Sequence, residues 1–147
     1  MIVEFDGDYA FLSNFYPSSI YHEGITYPTN EHFFQAMKTL DIDERKAIAA
    51  AETPGLAKRM GRHVKLRPDW EKIKVDVMRL GLILKFTDAE LAEKLIATGD
   101  EELVEGNWWH DQTWGSCFCA DHCRTPGRNL LAMLLMELRK DLQHNQK

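Results

Sequence analysis

The sequence is short of cysteine, of proline and of long apolar runs, and each shortage removes a class of protein. Three cysteines in 147 residues, an odd number, do not make the disulfide framework of a small secreted fold, so a reducing, cytoplasmic setting is expected. No run approaches the roughly 20 apolar residues of a membrane span, and no signal peptide opens the chain, so no membrane association is expected. Five prolines and nine glycines form no linker or low-complexity tract, and no internal repeat is present. A Gly-rich phosphate loop of the Walker type is missing, as is a nucleophile elbow, so neither P-loop nor Ser/His/Asp chemistry is signalled. Lys and Arg total 18 against 23 Asp and Glu, a net charge of −5, which gives no general attraction to nucleic acid. What remains is an ordinary globular composition, 44% hydrophobic and 28% charged. At this length a single domain, residues 1–147, is expected.

The most informative stretch runs from Pro28 to Lys38, PTNEHFFQAMK. Thr29 and Asn30 suit a helix N-cap. Glu31, Gln35 and Lys38 then recur at i, i+4 and i+7 on one face, and Phe33, Met37 and Leu40 lie on another that suits the core. A carboxylate, an amide and an ammonium aligned in this way form either a solvated stripe or one wall of a site. Upstream, IVEF reads as a short strand and YAFLSNFYPSS as an ordered loop. That loop either folds onto the core or stacks through Tyr9, Phe11, Phe15 and Tyr16 on a planar ligand, with Ser13 and Asn14 supplying hydrogen bonds. A hairpin follows over residues 19–27, turning at His22-Glu23-Gly24.

Downstream, Asp41 or Asp43 can cap a helix on DERKAIAAAE, and PGLAKRM reads as a short helix with Pro54 at N1 and Gly61 as its C′ residue. Arg62, His63, Lys65 and Arg67 make a basic loop, either solvated or a seat for phosphate. A long helix from Pro68 to Phe86 carries a stripe of Trp70, Val77 and Leu84 joined by Ile73, Leu80 and Gly81. A capping box at residues 87–90 starts another helix, closed by Gly99. Leu103-Val104-Glu105 reads as a buried extended segment. The last helix, from Thr125 and Pro126 through Leu138, is apolar enough to be the buried one, with a polar, frayed tail from Asp141. The fold class is mainly α with a small β portion.

Between the last two helices lies an aperiodic segment rich in tryptophan. Asp111, Trp114 and Gly115 form a D-x-x-W-G unit just after Trp108, Trp109 and His110. Long aperiodic stretches inside compact domains are usually functional, and a carboxylate among indoles is a candidate general acid or base. Glu31, Glu105 and Asp111 are thus three carboxylates in motif-like settings, and two of them across a pocket would suit cleavage of a glycosidic bond. Cys117, Cys119, His122 and Cys123, with His110 nearby, raise a zinc reading. They form one arm with an uncommon C-x-C spacing, so ordinary loop cysteines and no metal are the first expectation.

Taken in order, F-L-S-N-F-Y-P, Y-P-T-N-E-H-F-F-Q-A-M-K, M-G-R, R-P-D-W, L-V-E, D-x-x-W-G and G-R-N-L-L-A-M-L-L-M-E-L-R closely resemble the NADAR family, also called YbiA-like. The resemblance spans nearly the whole chain. It implies a compact multihelical YbiA-like single domain with a buried helix, and cofactor-independent N-glycosidase activity on ribosides. One branch of the family hydrolyses early riboflavin-pathway ribosylaminopyrimidine 5′-phosphates to free base and ribose 5-phosphate; another removes ADP-ribose from modified guanine. The partner implied is therefore a small-molecule ribosyl-phosphate or ADP-ribosyl substrate, or modified guanine in a nucleic acid. A binding module that senses such a ligand without turnover is the alternative from another class. By motif position Glu31, Trp70 and Asp111 match the family's active-site residues, and Lys38 the lysine closing E-H-x-x-Q-A-x-K. Asn14, Gly61 and Arg62 match positions around ribose and phosphate; Ser13, Phe15, Gln35, Trp114, Gly115 and Asn129 complete the expected substrate contacts. The chain departs from the pattern in a longer loop after Trp114-Gly115 holding the cysteines, and in Asn129-Leu130-Leu131-Ala132 where the family has Asn-x-Leu-Gly.

Overall fold

The structure, a computed structural model, describes residues 1–119 and 125–146. The chain is mainly α with a small β part. It divides into two compact units, Asn14–Phe86, and Met1–Ser13 together with Thr87–Lys147.

The Asn14–Phe86 unit opens with an antiparallel hairpin, β1 (Pro17–His22) and β2 (Ile25–Thr29), in which Ile20 faces Tyr27. Glu23 and Gly24 both take positive φ, 49° and 83°, the geometry of a two-residue turn whose twist matches that of the strands. Thr29 ends β2 and caps α1 (Asn30–Ala36), its hydroxyl accepting the His32 N–H at 3.2 Å. All seven residues of α1 are buried, because β1, β2, α2 (Ile42–Ala49), α3 (Pro54–Met60) and α4 (Trp70–Lys85) pack around it. This is the buried helix of the fold. Of the two readings of this face, a solvated stripe does not hold for Glu31 and Gln35, which are buried. Leu40, read as core, lies beyond the helix end and is exposed.

Two glycines let α1 sit so deep. A Cβ on Gly81 of α4 would lie 2.1 Å from Asn30 Oδ1 and 3.0 Å from Phe33, and one on Gly61 would lie 2.0 Å from Gln35 Oε1. Gly61 has an ordinary helical φ of −60°, so it serves close approach rather than the left-handed cap expected of it. The Gly81 contact also rotates α4 from its expected stripe. Trp70, Met78, Gly81, Leu82 and Lys85 face inward, while Leu80 is exposed.

In the second unit the N-terminal stretch makes one parallel bridge, Ile2 to Leu103, rather than a full strand. The aromatic loop after it begins as a 3-10 helix, Gly7–Leu12. Helices α5 (Ala89–Ala97) and α6 (Leu130–Asn145) pack together. α5 is capped by Asp88, which accepts from Leu91 N–H at 3.1 Å. α6 is amphipathic, burying Leu131, Ala132, Leu134, Leu135 and Arg139 but exposing Met133, so it is not the buried helix. It starts at Leu130, since Asn129 sits in the left-handed region with φ 54°. Its polar end stays helical to Asn145, held where Gln143 Nε2 donates to the Gly99 carbonyl at 2.9 Å. Two short parallel strands, β3 (Gly106–Asn107) and β4 (Ser116–Cys117), bracket the tryptophan segment.

Candidate active site

The first turn of α1 is latched from both sides. Thr29 Oγ1 lies 2.7 Å from His32 Nδ1, and His32 Nε2 lies 3.0 Å from the Ala51 carbonyl. A carbonyl only accepts, so the ring proton sits on Nε2 and Nδ1 receives the Thr29 hydroxyl. The Asn14 carbonyl accepts the Glu31 N–H at 3.1 Å. The Asn14 side chain accepts from Asn30 Nδ2 at 2.8 Å and reaches Met78 Sδ at 3.5 Å. Asn14 is thus buried and fixes the backbone from which Glu31 projects.

Glu31 is 7% exposed. Gln35, one turn on, donates from Nε2 to Glu31 Oε1 at 2.8 Å, and its own Oε1 is buried with no hydrogen-bond partner among the described residues. The amide is thereby oriented: its donor faces the carboxylate and its acceptor faces the Gly61 backbone. Lys38 is half-buried beyond the end of α1. Burial pushes its ammonium below the usual lysine range; Glu31 pulls it back, and Arg62 and Lys58 push it down further. Three cations and a carboxylate thus interact across this face of the unit. Trp70 is 5% exposed and packs on Phe34 with ring centroids 5.1 Å apart. Of the basic loop, Arg67 is committed to Asp69 at 2.7 Å and to the Met37 carbonyl. Arg62, His63 and Lys65 are exposed. Phe15 is exposed as well.

In the other unit, Asp111 folds its own loop. Its Oδ1 accepts from Thr113 N–H at 3.1 Å and Trp114 N–H at 2.9 Å. Asn107 clamps the Asp111 main chain, donating to its carbonyl at 2.8 Å and accepting its N–H at 3.1 Å. The carbonyls of Thr113, Trp114 and Gly115 then accept the N–H groups of Leu130, Leu131 and Asn129. The D-x-x-W-G turn is therefore the N-terminal cap of α6, which replaces the side-chain cap expected from Thr125. Asn129 uses both ends of its amide on the 103–105 segment, accepting from Glu105 N–H and donating to the Leu103 carbonyl, each at 3.0 Å. Gly115 packs so closely on the Glu105 carbonyl that a Cβ would lie 2.3 Å from it. Ser13 ends the 3-10 helix, donating its N–H to the Ala10 carbonyl at 2.9 Å. Trp108 and Trp109 are exposed, so the indoles do not close around the segment as the sequence suggested. A cleft of about 320 Å³ in this unit, lined by Ile2, Val3, Tyr9 and Glu101 among others, takes Tyr9 from the aromatic loop but none of the residues matched to the family's site.

Of the expected cysteine cluster, His122 and Cys123 lie outside the described residues. Cys117 and Cys119 are within them, and both sulfurs approach His110. Sequence reasoning noted His110, and Asn30 only as a cap, but overlooked His32, Asn107 and Lys85. Lys85 is 1% exposed, with its Nζ 5.8 Å from the Tyr16 ring centroid and 5.3 Å from that of Phe86. Its place at i+7 from Met78 puts it on the inward face of α4, where lysine is rare.

The fold and this arrangement define a small α-rich protein with a carboxylate–amide pair buried in its central helix. The NADAR domain family matches residues 4–143, and the chain belongs to that family. It is similar to the N-glycosidase YbiA of Escherichia coli (strain K12), 44% identical over 138 residues that cover 92% of this chain and 82% of that protein. The NMR structure of the E. coli protein superposes with a TM-score of 0.82 at 39% identity, covering 99% of this chain and 87% of that one. A Vibrio vulnificus riboflavin biosynthesis protein is 39% identical over 95% of this chain, a stretch that makes up 37% of its own length.

Proposed function

We propose that this protein is an N-glycosidase that hydrolyses the C1′–N bond of a ribosyl phosphate. The observation that carries the reading is the Glu31–Gln35 pair, a buried carboxylate oriented by an amide 2.8 Å away, with Lys38, Lys58 and Arg62 acting on the same face. A carboxylate suits a sugar carbon that gains positive charge, and neighbouring cations suit an anionic phosphate. In the reaction the C1′–N bond breaks with its electron pair leaving on nitrogen, water forms the new bond to C1′, and a proton reaches the departing base.

Glu31 takes the sugar-side role, removing the water proton and steadying charge at C1′. Arg62 is assigned to the phosphate, and Asn14 with Gln35 to the shape of the ribose side. Trp70, buried against Phe34, is read as a wall of the base site rather than an open stacking platform. The acid role falls to Asp111: with Oδ1 bonded to two main-chain N–H groups, Oδ2 is the oxygen to carry a proton to the base. The route uses water and protein groups alone. Relatives named as riboflavin biosynthesis proteins favour a ribosylaminopyrimidine 5′-phosphate over an ADP-ribosylated guanine as substrate.

Lys38 can act in two ways that experiment separates. As a cation it holds phosphate or keeps Glu31 ionised, and turnover falls as pH rises through its lowered pKa. As a nucleophile it attacks an opened C1′ aldehyde, and turnover rises over the same range because only the free amine attacks. Borohydride added during turnover traps a Lys38 adduct only in the second case. The central test is a product assay with a ribosylaminopyrimidine 5′-phosphate and ADP-ribosylated guanosine in parallel. Free pyrimidine base and ribose 5-phosphate are expected from the first. Binding of either by calorimetry with no product after long incubation would replace the enzyme by a sensor.

A further inference from the structure

We propose that His110, Cys117 and Cys119 bind one zinc ion, which clips shut the loop that carries Asp111 and Trp114. His110 Nδ1 lies 3.3 Å from Cys119 Sγ and 4.0 Å from Cys117 Sγ, and the three ligand atoms all fall within 4.8 Å of one another. Whatever the sulfur–sulfur distance within that limit, a point equidistant from the three atoms lies no more than about 2.4 Å from each. Zinc sits about 2.3 Å from thiolate sulfur and about 2.0–2.1 Å from imidazole nitrogen. The triangle thus already has the size of one face of a tetrahedral site.

A hydrogen bond alone does not account for this. One S–H···N bond would use the nitrogen once, at Cys119, and would give Cys117 no reason to turn to the same point. The Cys119 N–H donates to Cys117 Sγ at 3.4 Å, which holds the two cysteines in one turn beside His110. Among the described residues no disulfide takes the two cysteines. Two thiolates with one imidazole are a borderline-soft donor set, which selects zinc over calcium or magnesium. On binding, the two thiols release their protons to solvent and neutral His110 donates its Nδ1 lone pair, keeping its proton on Nε2. The fourth position is open to water.

The position in the chain explains what the ion would do. Cys117 lies in β4, paired in parallel with Asn107 of β3, and Asn107 clamps the Asp111 main chain. His110 adopts φ 69°, a left-handed conformation that a non-glycine residue keeps only when its surroundings hold it. A bond from residue 110 through zinc to 117 and 119 closes the 111–116 turn into a ring and fixes the cap of α6. The ion is structural and takes no part in the glycosidic step.

The test uses the full chain, with zinc as the probe. Protein purified under reducing conditions is exchanged against a chromophoric zinc chelator, and bound metal is counted by mass spectrometry. About one zinc per chain is expected. Its affinity should fall in His110→Ala and Cys119→Ser by more than the about 10–100-fold that loss of an outer-shell partner costs. Because Cys117 is buried and Cys117→Ser risks misfolding, the half-buried Cys119 and exposed His110 carry the decision, with circular dichroism as the folding control. Cobalt(II) in place of zinc should give tetrahedral d–d bands and a thiolate charge-transfer band that Cys119→Ser weakens. Fully reduced protein that retains no zinc against the chelator would overturn the proposal. So would zinc retained equally by the wild type and both variants.

Discussion

The helix α1 and the 106–129 segment both present a carboxylate in a motif, and they use it in opposite ways. Around Glu31 the partners are side chains: Gln35 holds Oε1, and Lys38 with its cationic neighbours acts on the same face. Around Asp111 the partners are main chain. Its Oδ1 takes the N–H groups of Thr113 and Trp114, and the carbonyls that follow cap α6. A carboxylate bonded to side chains can be re-aimed by a ligand, whereas one that folds its own turn is fixed with the backbone. The contrast divides the proposed labour. α1 supplies adjustable chemistry, and the loop supplies a rigid platform with one carboxylate oxygen to spare.

The sharpest way to break that comparison is to neutralise each carboxylate without changing its shape. Glu31→Gln keeps an acceptor for the Gln35 amide, so the fold should survive while kcat falls by about 10²–10⁴-fold, the usual worth of a positioned acid or base. Asp111→Asn keeps Oδ1 as an acceptor for both N–H groups, and with the acid role proposed above it should also lower kcat by about 10²-fold at unchanged melting temperature. Steady-state release of free base measures both. If Asp111→Asn retains full activity while Asp111→Ala only destabilises, the loop carboxylate is purely architectural and the acid lies elsewhere.

Next in size is the buried lysine of α4. Lys85 is pushed down to about 7 by burial from an ordinary 10.5. Between those pH values the unfolded chain binds more protons than the folded one. Stability therefore rises with pH across this window, by at most about 1.4 kcal/mol per unit, and the slope vanishes below pH 7, where both states are charged. Lys85→Met keeps the stem and removes the charge. Its urea-denaturation stability should lose this pH slope and exceed that of the wild type most clearly below pH 7. An unchanged slope would show that Lys85 keeps an ordinary lysine pKa in the fold and that another group sets the pH dependence. The second unit offers the control: buried Arg139 donates to Thr98 Oγ1 at 3.0 Å and, as arginine, holds its charge through this range.

Much of the α1 region was legible in the sequence because its information is periodic. Thr29 as cap, and Glu31, Gln35 and Lys38 on one face, follow from helical spacing, and the Glu23-Gly24 turn follows from its residues. What spacing could not give was direction. The apolar run of α6 outweighed that of α1 on hydrophobicity, yet α1 is the helix enclosed on all sides, because Gly61 and Gly81 admit it. A glycine that allows close approach looks, in sequence, like a glycine that ends a helix. The loop was legible as a site of unusual residues but not as a cap, because its bonds are main-chain carbonyls that any residue carries. Asn129 suits its place here because an asparagine tolerates a left-handed φ and offers both a donor and an acceptor to residues 103–105.

Gly61 against α1 and Gly115 in the loop allow a finer comparison of the regions. Gly61→Ala puts a methyl against the end of the Gln35 side chain, with Oε1 2.0 Å and Cδ 2.8 Å from the new Cβ. A side chain can yield, so the cost should be about 1–3 kcal/mol, with a drop in kcat as Gln35 lets go of Glu31. Gly115→Ala meets the Glu105 carbonyl, which is main chain, 2.3 Å away. That contact cannot yield without opening the α6 cap, so this variant should be the less stable of the two. Chemical denaturation ranks them. The reverse ranking would mean that the loop, not α1, is the more pliable region.

The smallest effect expected is at the α1 cap, where the latch is a side chain and can be removed alone. Thr29 Oγ1 accepts the His32 N–H at 3.2 Å and meets His32 Nδ1 at 2.7 Å. Thr29→Ala deletes both contacts and should cost about 1 kcal/mol, up to about 2; Thr29→Ser keeps the hydroxyl and should stay within about 0.5 kcal/mol. At α6 no single side-chain deletion has this simple meaning, since its first N–H groups are held by the carbonyls of residues 113–115. Thermal melts of the Thr29 pair therefore isolate what a cap is worth to the helix that carries Glu31. Because the Asn14 carbonyl still holds the Glu31 N–H at 3.1 Å, kcat of Thr29→Ala should remain near that of the wild type at temperatures where the protein is folded. A large fall in kcat with an intact melt would show that Thr29 acts on the reacting groups through His32 rather than on the helix end.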